Sequence, residues 1–430
     1  MGELGGAGRA HYHRRVSRRP AETTPDLVLV GGRLGDGRLV DLHVIDGLVS
    51  AVIESGIPVA AGTPREDLDG WLLLGAMAEP HAHLDKALTA ERVPNPRGDL
   101  MGAIDAWMAA ASAGMFTPEE IADRATHALE LLLANGATAV RTHVNIGAGA
   151  EALRAVREAR NRMDGLLDVQ IVALTSNPIT GPEGRENRRA LAIALEVGVD
   201  LVGGCPHLDP DGTTLMADAF AAASEAGIGL DLHVDEMLNP EVLFLRELAR
   251  MVHDTGFAHP VTASHCVTLG LQSPDVQAAV SREVADAGVS VVTLPQTNLF
   301  LQGRNQPTAT PRGLTAIGAL RQAGVLLCAG ADNVQDPFNL VGRSDPLETA
   351  ALLVMAGHRP PEEAFRMVGS DARTCLGLPS AEPVVGAVAD LVAIDAPSVR
   401  GAIADAPMAR KVFHRGKLVA ATSQSRTIYR

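Results

Sequence analysis

The sequence has few of the features that mark a secreted, membrane-bound or nucleic-acid-binding protein. Its 430 residues include only four cysteines, widely spread and without a C-x-x-C pair, so a reduced, cytoplasmic setting is expected. No apolar run approaches the length of a membrane span. The formal net charge is -14, whereas a nucleic-acid partner requires a basic face. We therefore expect neither a membrane nor a nucleic acid as a partner.

The first 23 residues lack the apolar core of a secretory signal and are rich in Gly and Arg. We predict a disordered tail over residues 1–23. His11 and His13 repeat an H-x-H spacing there without a strand to carry them, so they are expected to be solvated, with metal binding as the alternative. The whole sequence has a hydrophobic fraction of 46% and a charged fraction of 20%, which predicts a folded protein with a large core.

Short β-type runs lie near both ends of the chain. From Asp26 onwards they are broken by "GG", "GDG" and "DG", which are hairpin signals. The segments "ADLVAIDA" and "ARKVFHRGKLVA" repeat this character near the other end. We predict that residues 24–75 and 385–430 form one small β-sandwich domain, which the chain leaves and later rejoins.

Residues 76–384 alternate between strand and helix patterns. Most of the apolar runs follow an Ala-, Leu- and Glu-rich segment that ends in Gly, the common helix stop. Near-continuous apolar strands belong to a parallel sheet that is buried on both faces. About eight strands are present, the number that a closed (β/α)8 TIM-type barrel needs. An open, doubly wound sheet is the alternative, although no G-x-G-x-x-G follows the first strand.

Histidines and acids fall at the predicted C-terminal ends of these strands, where barrel enzymes carry their chemistry. His81 and His83 in "EPHAHLDKAL" are two positions apart on a strand and so point the same way. With His233 and Asp332 from later strands they form a ligand set suited to Zn²⁺ or Fe²⁺. A metal held in this way lowers the pKa of water and supplies hydroxide at neutral pH.

Other residues at the strand ends are assigned to the reaction or to structure. Asp332 is expected also to accept the proton of the water, Glu236 to pass a proton to a ring nitrogen, and His265 to steady the hydroxide or the developing oxyanion. A solvated loop acid at Glu236 and a helix N-cap at Asp332 are the alternatives. His143 and His207 are expected to be supporting or structural. One metal is favoured, because the fourth strand carries no lysine to bridge two.

The motifs "EPHAHLDKAL", "RTHVN", "DLHVDE", "VTASH", "LQGR" and "GADNVQDPF" resemble, in this order, the cytosine deaminase branch of the amidohydrolase superfamily. The resemblance implies an enzyme with one Fe²⁺ or Zn²⁺ ion that removes an amine from a nitrogenous ring by hydrolysis. Glu236 matches the acid that protonates the ring, and His265 matches the catalytic histidine. The metal ligands that the resemblance implies are His81, His83, His233 and Asp332.

Three departures from that branch concern the substrate. Ser176 and Asn177 stand where the branch has a glutamine that reads the pyrimidine edge. Asn333 replaces a second aspartate, and Lys86 replaces an uncharged residue. In these two features the sequence is similar to N-isopropylammelide isopropylaminohydrolase. If Lys86 faces inward, these departures make the pocket less negative than that of a cytosine deaminase. Such a pocket should favour an oxo-triazine or an acidic heterocycle over cytosine. The residues expected to bind substrate are Lys86, Ser176, Asn177, Asn333 and Phe338.

Three functions remain open at this point. The first is a metal-dependent hydrolase that releases ammonia or an alkylamine from a heterocycle. The second is a cyclic amidase that opens a lactam-type ring with the same metal. The third is a non-catalytic barrel that only binds a ligand. In each case the partner is a small molecule, and the sequence leaves both a monomer and a homo-oligomer open.

The ligand assignment predicts about one Fe or Zn ion per purified chain, and chelation should abolish turnover. His81→Ala should lose the metal, because one of four ligands is gone. Elemental analysis of both proteins, together with their turnover rates, measures this. A variant with full metal content and full rate would show that the assignment is wrong.

Overall fold

The structure of the protein is a computed structural model that describes residues 24–147 and 150–429. The predicted tail at 1–23, with His11 and His13, lies outside the described residues. The described strands are β1 (Leu27–Arg33), β2 (Leu39–Ile45), β3 (Leu48–Glu54), β4 (Arg65–Asp67), β5 (Leu72–Gly75), β6 (Met77–Ala82), β7 (Ala137–Asn145), β8 (Asp168–Leu174), β9 (Leu201–Gly203), β10 (Gly229–Val234), β11 (Val261–His265), β12 (Ser290–Thr293), β13 (Leu327–Ala329), β14 (Leu391–Ile394), β15 (Arg410–His414) and β16 (Lys417–Thr422).

Helices occupy most of the chain between the barrel strands. Two short 3-10 helices lie at Pro206–Leu208 and Val267–Leu271. The described α-helices are α1 (Leu100–Ser112), α2 (Pro118–Ala134), α3 (Glu151–Arg162), α4 (Arg185–Val197), α5 (Gly212–Ala226), α6 (Phe244–Thr255), α7 (Pro274–Asp286), α8 (Pro295–Leu301), α9 (Ile317–Gln322), α10 (Pro346–Met355), α11 (Pro361–Val368), α12 (Ser370–Cys375) and α13 (Val399–Asp405).

Strands from both ends of the chain form one sheet. Its order is β16-β15-β14-β5-β1-β2-β3, and β4 also pairs with β1. β4 and β5 run parallel to β1, and the other pairings are antiparallel. Leu391 of β14 pairs with Gly75, so the returning chain lies beside β5. The prediction that both ends build one β domain is confirmed, while its bounds at 24–75 and 385–430 stay predictions.

The eight strands from β6 to β13 form a second sheet, in which each strand pairs with the next one along the chain. All of these pairings are parallel. Helices alternate with the strands, and the predicted (β/α)8 TIM-type barrel is confirmed. β10 and β11 are buried along their whole length, which explains why these strands lack a solvent-facing polar side. The bounds of the barrel domain at 76–384 stay a prediction.

Two barrel strands are shorter than their apolar runs suggest. The run at 199–205 contains only β9, and the run at 325–331 contains only β13. Cys205, Val325 and Ala331 are nevertheless buried outside these strands. An apolar run therefore reports burial, whereas the ends of a strand depend on backbone pairing.

A buried ion pair joins the β domain to the barrel helices. Arg410 of β15 donates to both carboxylate oxygens of Asp345, at 2.9 and 2.7 Å, and Asp345 is the N-cap of α10. The same guanidinium donates to the carbonyl of Asn135, just after α2. Within the described part of the chain, no helix has both the length and the apolar character to cross a membrane.

Candidate active site

The four predicted metal ligands meet at the C-terminal end of the barrel. The Nε2 atom of His233 lies 3.2 Å from Nε2 of His81 and 3.1 Å from Nε2 of His83. Oδ1 of Asp332 lies 3.2 Å from Nε2 of His83 and 3.7 Å from Nε2 of His81. Tetrahedral coordination with bonds of about 2.0–2.1 Å places ligand atoms about 3.3–3.4 Å apart. The observed separations lie close to that value.

The protonation states of these groups also fit a metal. Burial lowers the pKa of His81, His83 and His233 well below the ordinary value, so their imidazoles are neutral. Oδ1 of Asp332 is buried and has no hydrogen-bond partner among the described residues. Three neutral imidazoles and one carboxylate that face one point are a suitable set for a divalent cation of the Zn²⁺ or Fe²⁺ kind.

A chain of hydrogen bonds orients the His81 ring. Nδ1 of His81 donates to Oγ of Ser264 (2.9 Å), and this hydroxyl donates to Oδ1 of Asp231 (3.0 Å). Arg141 Nη1 donates to Oδ2 of Asp231 (2.8 Å). These hydrogen bonds leave the Nε2 lone pair of His81 free to bind a metal. In metal sites generally, the second ring nitrogen of a histidine ligand donates to a hydrogen-bond acceptor in the same way. The sequence interpretation missed Asp231 and Arg141, although a charged residue inside a buried strand is a signal.

The two remaining strand-end histidines lie behind the site. His143 is fully buried and stacks on His81, with ring centroids 3.9 Å apart. His207 lies in the 3-10 helix at Pro206–Leu208, and burial lowers its pKa to about 4. Neither lines the cavity described below. Their predicted supporting role is compatible with these positions and stays a prediction.

The predicted catalytic residues face one another beside the ligands. Nε2 of His265 lies 3.6 Å from Oε2 of Glu236 and 3.8 Å from Oδ2 of Asp332. Nδ1 of His265 donates to Oδ1 of Asn298 (3.1 Å), so its Nε2 carries the lone pair. Burial lowers the pKa of His265 to about 4, which keeps this ring neutral at pH 7.

The two carboxyl groups differ in their affinity for a proton. Burial, and then the charge of Asp332, raise the pKa of Glu236 well above its ordinary value. Burial raises the pKa of Asp332 to about 6. Glu236 is therefore the group that holds a proton at neutral pH, as a general acid must. Its exposed fraction of 5% also argues against a solvated loop acid.

Left-handed backbone at three strand ends turns the reacting residues toward one another. Asp235, His265 and Asp332 have φ values of 54°, 71° and 70°. Non-glycine residues in this region cost about 1–3 kcal/mol each and are held by their surroundings. Asp235, for example, accepts hydrogen bonds from the N–H groups of Phe244 and Leu245. No helix begins at Asp332 in the described structure, so the N-cap alternative is not supported.

One cavity of about 450 Å³ opens onto the ligands and the catalytic groups. It is lined by all the residues expected to bind substrate and by His83, His233 and the three catalytic candidates. The structure thus brings the predicted substrate-binding positions to one place, and their contacts with a substrate stay predictions. Those positions are Lys86, Ser176, Asn177, Asn333 and Phe338.

Two buried acids change the charge argument made from the sequence. Nζ of Lys86 lies 2.9 Å from Oδ2 of Asp85, so its charge is balanced by a neighbour. Nδ2 of Asn333 donates to Oδ2 of Asp336 (2.7 Å). A carboxyl group therefore lies beside position 333, where the cytosine deaminase branch has an aspartate. Asp85 therefore offsets the positive charge of Lys86, whereas Asp336, whose pKa burial raises to about 7, replaces only part of the negative charge expected of an aspartate at position 333. The sequence argument considered only the positions that differ from a relative, and so it did not include Asp85 and Asp336.

The sequence interpretation also missed an apolar wall. One face of α1 lines the cavity, and Trp107 of this face stacks on Phe116 with ring centroids 4.7 Å apart. The sequence does contain a signal for this wall, namely apolar side chains at helical spacing before the second barrel strand. The wall residues are Leu100, Met101, Ile104, Trp107 and Met108.

Comparison with known proteins agrees with this geometry. Residues 97–420 match the amidohydrolase family. The chain belongs to the amidohydrolase family. A pterin deaminase of Rhizobium rhizogenes is 32% identical to this amidohydrolase over 407 residues, which is 92% of each chain. The N-isopropylammelide isopropyl amidohydrolase of Pseudomonas sp. (strain ADP) is 25% identical, and the match covers 83% of this chain and 89% of that one.

Solved structures show the same architecture. The 5-methylcytosine deaminase of Klebsiella pneumoniae matches 94% of this chain and 99% of its own, with a TM-score of 0.84 and 26% identity. The N-isopropylammelide isopropylaminohydrolase of Burkholderia multivorans matches 92% of this chain and 98% of its own, with a TM-score of 0.79 and 28% identity. The predicted family and branch are confirmed. This amidohydrolase is a metal-dependent hydrolase of carbon–nitrogen bonds other than peptide bonds.

Glu236→Gln tests the general acid. The amide keeps the shape of the side chain but cannot supply the proton, so kcat should fall by about 10²–10⁴-fold while the metal content stays unchanged. Steady-state kinetics and elemental analysis measure the two quantities. Glu241→Gln, an exposed position on the same loop, is the matched control and should keep the wild-type rate. A near-normal kcat for Glu236→Gln would reduce Glu236 to a loop residue.

Proposed function

We propose that the enzyme deaminates a pterin-type substrate, a fused two-ring heterocycle that carries an amino and an oxo group on one ring. The observation that carries this proposal is the lining of the cavity, which combines the polar catalytic groups with the apolar side chains of α1. The 32% identity to a pterin deaminase supports the same choice. Ammonia and the corresponding dioxo heterocycle are the products.

The volume of the cavity favours two rings over one. About 450 Å³ lies within the range of roughly 300–1,000 Å³ that is typical of pockets for drug-sized ligands. A single pyrimidine ring would fill less of this volume than a fused two-ring heterocycle. The second ring of a pterin can lie against the apolar side chains of α1, where a flat ring packs well.

Polar groups at the other end suit an aminated oxo ring. Oδ1 of Asn177 is buried without a hydrogen-bond partner among the described residues, so it can accept from a ring N–H or an amino group. Oγ of Ser176 donates to Oδ1 of Asn145 (3.1 Å), which fixes its position beside Asn177. Lys86, held by Asp85, and Asn333, held by Asp336, are donors for ring carbonyls. Such polar sites discriminate strongly against analogues that lack the matching group.

The metal in this proposal is one Zn²⁺ or Fe²⁺ ion, held by His81, His83, His233 and Asp332. When bound, the cation lowers the pKa of water and so supplies a nucleophile at neutral pH.

The four cysteines are free, which supports the predicted reduced, cytoplasmic setting.

The chain's own groups then handle the protons. Glu236 donates a proton to the ring nitrogen next to the carbon under attack, which makes that carbon more electrophilic. Asp332 accepts a proton from water, and His265 accepts a hydrogen bond through Nε2 to orient the attacking oxygen. The carbon–oxygen bond forms, and the carbon–nitrogen bond breaks as the leaving amine receives the proton that Asp332 took from water. The proton of the new hydroxyl group then returns to Glu236, which leaves the oxo product. One water is consumed, and one ammonia is released.

Steady-state kinetics on pterin, N-isopropylammelide and cytosine test the substrate. We expect pterin to be the best of the three and cytosine to have a kcat/KM at least about 10³-fold lower, because buried polar groups would lose their partners. A kcat/KM for cytosine above about 10⁵ M⁻¹s⁻¹, ordinary for a native substrate, would refute this assignment.

Product analysis separates this proposal from the other functions. Free ammonia with an intact ring system identifies a deaminase, whereas an opened ring identifies a cyclic amidase. Tight binding of pterin by the metal-loaded protein without any product would identify a binding barrel. Release of isopropylamine from N-isopropylammelide at a higher kcat/KM than deamination of pterin would favour alkylamine removal.

Trp107→Ala tests the contribution of the wall. Loss of the aromatic face should lower kcat/KM for pterin by about 10–100-fold, since apolar contacts in a pocket are worth about 1–3 kcal/mol. The effect on cytosine should be smaller, because the proposal places only the second ring of pterin against the wall. Trp71→Ala is the control, because Trp71 lies in the β domain under Lys411 and away from the cavity. Equal losses on both substrates would contradict the proposed placement of the second ring.

A further inference from the structure

The barrel has a seam between its first and last strands. In the described residues the other neighbouring barrel strands are joined by ladders, whereas β13 and β6 are joined by a single bridge between Ala82 and Asp332. At this bridge the N–H of Asp332 donates to the carbonyl of His81 (3.0 Å). The N–H of His83 donates to the carbonyl of Asp332 (3.2 Å). Candidate metal ligands therefore lie on both sides of the seam.

Glu79 connects the two sides below this bridge. Its side chain points into the seam and is 2% exposed. Its carboxylate accepts from the N–H of Ala331 at 3.1 and 3.0 Å, and Oε1 also accepts from the N–H of His81 at 3.1 Å. No lysine or arginine pairs with Glu79 in the part of the chain that the structure describes. A buried carboxyl group is costly unless such hydrogen bonds satisfy it, so its position needs a reason.

Gly330 makes room for this carboxylate. A Cβ atom at position 330 would collide with Oε1 of Glu79 and would also approach Leu294 and Pro80. A glycine allows the backbone and the carboxylate to come close, because it has no side chain. The last strand thus accommodates the side chain of the first one at the seam.

We propose that Glu79 is a positioning residue that sets the separation between His81 and Asp332 and thereby the affinity for the metal. One carboxylate binds the backbone N–H of His81 itself and the N–H of the residue before Asp332. Glu79 replaces ladder hydrogen bonds that the seam lacks. It does not line the cavity, so it acts through the backbone of these two residues. The inference depends on the metal site and is independent of the identity of the substrate.

Zinc affinity of the metal-free full-length protein, measured by chelator competition, tests the inference. Glu79→Ala leaves two buried N–H groups unpaired, and the affinity should fall by about 10–100-fold, the usual effect of losing an outer partner of a metal site. Glu79→Gln keeps an oxygen that can accept from both N–H groups, so it should retain most of the affinity. Gly330→Ala should lower the affinity in the same way as Glu79→Ala, because it displaces the carboxylate.

A matched variant separates positioning from stability. Asp345→Asn disrupts a buried carboxylate that pairs with Arg410 away from the metal site, so it should lower Tm without changing zinc affinity. Glu79→Ala with wild-type zinc affinity and only a lowered Tm would overturn the proposal. If Glu79→Ala does not fold, Gly330→Ala decides the question: wild-type affinity would overturn the proposal, and a loss that Glu79→Gln does not share would support it.

Discussion

Mutual contact between three neutral imidazoles and one carboxylate is the constraint on which the rest of the structure depends. The Nε2 atoms of His81 and His83 each lie within hydrogen-bond distance of Nε2 of His233, yet neutral rings cannot all donate to one another. Buried lone pairs that face each other are unfavourable without a cation between them. The surrounding structure must therefore hold these groups together before the metal arrives, and the barrel scaffold does so.

Several buried polar contacts share this task. Ser264 and Asp231 orient His81 from one side, and Asn298 orients His265 from another. Left-handed backbone at strand ends turns Asp332 and His265 toward the cavity. Each contact costs desolvation or backbone strain, and the hydrogen bonds it makes offset that cost. Hydrogen bonds therefore hold the ligand side chains, whereas Met101 and Met108 of α1 are flexible side chains that can adapt to a ligand.

The sequence by itself determined the architecture and the positions of the site. Alternating apolar runs and glycine-terminated helices predicted the parallel barrel, because a strand buried on both faces must be apolar throughout. The residues at the ends of those strands predicted which side chains meet, since a parallel barrel brings all its C-terminal strand ends to one face. For this reason the sequence could predict that His81, Asp332 and their neighbours lie together, while their roles stay predictions. The bounds of short strands such as β9 were not, because burial extends beyond backbone pairing.

Only the tertiary structure decided how the site is supported and what charge it carries. Ser264 lies 183 residues from His81, and Glu79 lies 252 residues from Ala331, so no local pattern connects them. The balance of Lys86 by Asp85 and the proximity of Asp336 to Asn333 depend on rotamers that the barrel selects. The apolar residues of α1 form a wall only because the folded chain places this helix beside the cavity. Such contacts arise from the closure of the barrel, and closure is a property of all eight strands together rather than of any one segment.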